Sequence, residues 1–76
     1  MTTKQIVNAM MCEAYIAGIA ADAGNMTKAA YWCGEFMAHC DIVTYDDIVK
    51  YTTAAERSKA INTIYKISDK VREAIK

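Results

Sequence analysis

Three cysteines, one histidine and a carboxylate one helical turn before it are the side chains of this 76-residue chain that could do chemistry. Cys12, Cys33, His39 and Cys40 are the ligand types a tetrahedral zinc site selects. Their spacing argues otherwise. If the segment around them is one helix, Cys33 and Cys40 project within about 20° of each other while His39 points about 100° away. The thiols are therefore expected to pack as small apolar groups beside Phe36 and Met37, with no metal and no cofactor. Glu35 precedes His39 by four residues, the spacing at which a carboxylate holds an imidazole in one tautomer on a solvated helix face. No second catalytic carboxylate, activated serine or cysteine, or glycine-rich phosphate cradle accompanies that pair, so the chain reads as a binding protein and not an enzyme.

The elements that must position these residues are all helical. There is no proline, and the breaker residues fall where helices would end. Ala23-Gly24-Asn25 offers a glycine stop followed by an asparagine N-cap. Thr44 precedes the acidic turn Tyr45-Asp46-Asp47, and Thr53-Ala54-Ala55-Glu56 spells a capping box. Helices are predicted at about 3–23, 26–40, 45–51 and 54–75, giving an all-α bundle of three main helices and one short one in a single domain, 1–76. On the second helix Met26, Ala29, Ala30, Trp32, Cys33, Phe36, Met37 and Cys40 share the apolar side. On the last, Ala60, Ile61, Ile64, Ile67, Val71, Ala74 and Ile75 form the buried stripe, and Lys59, Asn62, Lys66, Lys70 and Glu73 face solvent.

The first helix is the unusual one. Fifty-four per cent of the chain is apolar, and between Ile6 and Ala21 only Asn8, Glu13 and Gly18 resist burial. One broad face, Ile6, Val7, Met10, Met11, Ala14, Ala17, Gly18 and Ala21, is core, with small residues that let another backbone come close. A second arc, Cys12, Tyr15, Ile16 and Ile19, looks away from it. Either neighbouring helices of the same chain cover that arc, or another chain does. A chain this short is near the lower limit for a self-sufficient core, so the second arc is read as a protein interface. Tyr31 joins it, because tyrosine desolvates its ring while keeping its hydroxyl wet. A homodimer or small homo-oligomer is expected.

Nine basic residues balance nine acidic ones, which removes the global field of a general nucleic-acid binder. The balance is uneven along the chain: residues 1–42 carry two bases against four acids, a net −2, and residues 43–76 seven bases against five acids, a net +2. Three cysteines with no close pair, and a beginning without a basic, cleavable leader, point to a reducing cytoplasm. The Ile6–Ala21 run is shorter than the roughly 20 residues of a membrane span and holds Glu13 at its middle, so no membrane segment is expected.

Residues 44–61, Thr44-Tyr45-Asp46-Asp47-Ile48-Val49-Lys50-Tyr51-Thr52-Thr53 followed by Ala54-Ala55-Glu56-Arg57-Ser58-Lys59-Ala60-Ile61, resemble a helix-turn-helix, although the turn lacks the glycine usual in those families. The resemblance implies a second partner class, duplex DNA. Glu56, Arg57, Ser58 and Asn62 would read base edges, and Lys59, Lys66 and Lys70 would supply the basic stripe that meets phosphates. The primary expectation remains protein binding, to itself and to a host protein. By analogy of type, the chain has the character of a small phage or mobile-element accessory protein that inhibits a host defence factor.

Overall fold

The computed structural model describes residues 1–74 and is all-α. Four helices follow one another: α1 (Thr3–Asp22), α2 (Met26–Cys40), α3 (Tyr45–Tyr51) and α4 (Ala54–Ala74). Their boundaries are set by side chains that satisfy the free amides of each first turn. Thr2 and Gln5 form a capping box at the head of α1, the Thr2 amide donating to Gln5 Oε1 at 2.8 Å and the Gln5 amide to Thr2 Oγ1 at 3.2 Å. Thr44 and Asp47 do the same for α3, and Thr53 and Glu56 for α4. Asn25 Oδ1 accepts from the Lys28 amide to open α2.

Between α1 and α2 the chain reverses in three residues. Gly24 has φ +80°, a conformation in which a β-carbon crowds the backbone. It lets the Asn25 amide reach Ala20 O at 2.8 Å and the Gly24 amide reach Ala21 O at 3.0 Å, the bond pair that closes a Schellman C-cap. The corner expected at Ala23-Gly24-Asn25 is thus present, and it turns α2 back along α1.

α1 packs against all three other helices. Val7, Met10, Ala14, Ala17 and Ala20 are buried on it, facing Ala29, Cys33 and Phe36 of α2 and Ala60, Ile64 and Ile67 of α4. The small residues of α1 bring backbones together: a β-carbon on Gly18 would stand 3.1 Å from Thr63 Cγ2 of α4, tighter than ordinary packing allows. α3 is seven residues long and buries none of them fully. Ile48 and Tyr51 pack half-buried against the core, and the C-terminus of α3 is held by the Arg57 guanidinium, whose Nη1 donates to Thr52 O at 2.8 Å, Thr52 Oγ1 at 3.1 Å and Val49 O at 3.3 Å, thereby satisfying carbonyls there.

Several core expectations need correction. Glu13, read as resisting burial, is buried at 6% exposure, and Ala20 is buried where Ala21 and Gly18 were expected and are only half-covered. Met37 and Cys40 on α2, and Ile61 and Ala74 on α4, were placed on buried faces and are exposed. Around α2 and α3 the reason is the shortness of α3, which leaves the last turn of α2 and the flank of α4 without a roof. Ile75 lies outside the described residues. No helix among the described residues is long and apolar enough to cross a membrane.

Candidate functional site

The residues with chemical potential sit in different surroundings. Cys12 and Cys40 are exposed and Cys33 is buried, and among the described residues no three His, Cys, Asp or Glu side chains gather closely enough to share a metal ion. Cys33 Sγ lies 3.7 Å from Ile64 O and 3.8 Å from Ser68 Oγ. Burial pushes its thiol pKa up, partly offset by the Ser68 bond. Cys40 is also pushed up, first by desolvation and then by the carboxylates of Asp41 and Glu13. A nucleophilic cysteine needs the opposite environment.

His39 does not pair with Glu35. Its Nδ1 lies 2.9 Å from Glu13 Oε1, joining the last turn of α2 to the middle of α1. The carboxylate is the more enclosed partner, its side chain 8% exposed against 21% for the imidazole. The hairpin closed at Gly24 explains the exchange: it carries residue 13 opposite the end of α2, so the imidazole finds a buried acid across the interface instead of a solvated one along its own helix. The pair is a clasp between two helices, tying the last turn of α2 to the middle of α1.

What the surface offers is apolar. The second arc of α1 stays open, with Tyr15 at 64% and Ile19 at 52% exposure, Cys12 exposed and Ile16 half-buried. α2 and α4 pack mainly on the opposite half of the helix, and the first turns of α4 reach only the margin of the arc. Tyr15 and Ile19 flank a shallow notch that α1 shares with Lys59 and Thr63 of α4. Tyr31 is 58% exposed, on the side of α2 away from the core, its ring edge-on to Trp32 at 5.2 Å between centroids. It belongs to a different helix flank from the α1 strip.

A second apolar surface escaped the sequence reading. The uncovered ends of α2 and α4 border a groove of about 510 Å³. Phe36, Val43 and Ile64, all buried, form its floor, and Met37, Tyr45, Ile61 and Tyr65 rise around it. Arg57 and Asp41 are its charged members. The available signal was the Ile61/Tyr65 pair, one turn apart on the flank of the α4 stripe, next to an α3 too short to cover them.

The residues proposed to meet DNA are divided by the structure. Ser58, Lys59, Asn62, Lys66 and Lys70 are exposed along α4. Arg57 is engaged at the α3 C-terminus, and Glu56 closes the α4 capping box, where the Thr53 amide and then the Thr53 hydroxyl hold its carboxyl below the ordinary range.

Comparison with known proteins adds no relative. The chain matches no family model, no curated protein and no solved structure. The functional reading therefore rests on these surfaces alone.

Proposed function

We propose that the protein works by stoichiometric protein binding, without chemistry of its own, and that the α1 strip Cys12, Tyr15, Ile16 and Ile19 is its contact surface, with Tyr31 an accessory anchor on α2. The single observation behind this reading is that Tyr15 and Ile19 remain more than half exposed on the most apolar helix of the chain. Large side chains left open one turn apart on a rigid helix are suited to bury area against a partner at little cost in ordering. Self-association is the first form this binding takes. A host protein would compete for the same strip, and through that competition a chain of this size would act as an inhibitor of the phage or mobile-element accessory kind.

Light scattering after size exclusion tests it. The wild type is expected above the 8.4 kDa of one chain, and Ile19→Lys is expected to return it to that mass with an unchanged helical circular-dichroism spectrum. A wild type that stays at single-chain mass across the micromolar range overturns the self-association reading.

A second reading keeps one observation in its favour. Lys59, Lys66 and Lys70 lie on one exposed stripe of α4, without an ion-pair partner among the described residues. Duplex binding through this stripe requires affinity that falls steeply with salt. No binding at about 50 mM salt removes it.

A further inference from the structure

If the α1 strip binds a second copy, some surface of that copy must receive it. We propose that the receiver is the groove between the end of α2, α3 and α4, so that association is head-to-tail between two different surfaces. This rests on the self-association proposed above and adds the identity of the second surface.

No α1 residue lines the groove, so one molecule can present strip and groove at the same time. The two match in form: Tyr15 and Ile19, one turn apart, are a ridge, and the opening over Phe36 and Ile64 has space for large side chains between Met37 and Tyr65. They also match in charge. Asp22 lies one turn beyond Ile19 on the same side of α1, exposed and without an ion-pair partner among the described residues. Arg57 borders the groove and spends only Nη1 on Val49 and Thr52, leaving Nε and Nη2 to take a carboxylate in two parallel bonds. Asp41, also at the groove, repels Asp22 and so sets the direction of the strip, its Asp22 end toward Arg57. Strip against strip would pair like with like and leave the groove open.

Contacts between two different surfaces propagate until a ring closes. They also allow complementation. Ile19→Lys spoils the strip and keeps the groove, while Tyr65→Lys spoils the groove and keeps the strip. Tyr65 is 66% exposed, so the change spares the core, and Met37→Lys serves as an independent second groove variant. Each variant alone, checked for wild-type helicity, is expected to associate about 30-fold more weakly or worse and to run as one chain. An equimolar mixture of Ile19→Lys with either groove variant is expected at twice the 8.4 kDa chain mass, because one good strip meets one good groove and growth stops there. If both groove variants associate like the wild type while Ile19→Lys does not, the groove is overturned and the α1 interface stands. If Ile19→Lys associates like the wild type, both fail. If all variants are single chains and the mixture stays so, the pairing of strip with groove is overturned.

Discussion

The α1–α2 hairpin and the α3–α4 side of the molecule are built on different principles. In the hairpin, small and medium residues lock two long helices together: Val7, Met10, Ala14 and Ala17 against Ala29, Cys33 and Phe36, with the Gly24 corner at one end and the Glu13–His39 clasp toward the other. On the other side, α4 enters the same core through Ala60, Ile64 and Ile67, but α3 buries no residue fully; it rests on the partly buried Ile48 and Tyr51 and on hydrogen bonds at helix ends, two capping boxes and the Arg57 guanidinium. Burial of apolar area is worth far more than an exposed cap, so stability should reside in the hairpin and the α4 stripe packed on it, and least in α3. The apolar groove lies where packing is thinnest, and a docking surface is a natural use for such a place.

The sharpest way to break this comparison is to weaken the hairpin from inside. Met10 is completely buried, and Met10→Ala removes its contacts in a region too closely packed to collapse around the loss. A cost of about 3 kcal/mol is expected, read as a lower urea midpoint at unchanged slope. Tyr65→Ala, on the rim of the groove, is expected to change stability by less than about 0.5 kcal/mol. Equal losses from the two substitutions would refute the division.

His39→Ala comes next. It leaves Glu13 buried with its one hydrogen-bond partner gone, and a carboxylate stranded in this way costs roughly 2–3 kcal/mol. Replacing both residues, as in Glu13→Leu with His39→Ala, is expected to recover most of that loss, since the cost lies in the unpaired acid and not in the missing bond. Urea denaturation of the two single variants and the double one forms the cycle that measures it. A double variant as unstable as the sum of the singles would show that the pair is no clasp. Smaller again is Gly24→Ala, which forces a β-carbon into positive φ and should cost about 1 kcal/mol, seen as a fall in melting temperature of about 4–8 °C.

The same contrast explains which features could be read from residue order. The Gly24 corner, the Thr53–Glu56 box and the starts of the helices are local, written within four or five residues of one another, and each sits where the pattern put it. Which face of α1 is core was likewise carried by its periodicity, and the open arc at Tyr15 and Ile19 was separable from it. The Glu13–His39 pair was not readable, because its members are 26 residues apart and meet only after the hairpin closes; the local spacing favoured Glu35 instead. Met37 and Ile61 failed for a related reason. Periodicity assigns them to apolar faces, but whether an apolar face is covered depends on the length and placement of another helix, and α3 falls short. The groove they border is a property of tertiary assembly.

The smallest expected effect tests the capped side directly. Glu56 is fully exposed and its carboxylate accepts from the Thr53 amide at 2.8 Å; that bond, followed by the Thr53 hydroxyl, lowers its pKa in the folded chain. An acid whose folded pKa lies below its unfolded one adds stability that is complete above the ordinary carboxylate range and is lost as pH falls through the depressed value. Glu56→Gln keeps an acceptor for the Thr53 amide but removes the titration and the favourable charge at the N-terminus of α4. The wild type is therefore expected to melt slightly above Glu56→Gln at neutral pH, with the difference closing as the solution is acidified below the ordinary carboxylate range. Melting curves of both proteins at matched ionic strength decide it. A difference that persists unchanged into acid would mean the carboxylate acts at α4 through something other than its charge, and the picture of a side held by its helix ends would need another source of cohesion.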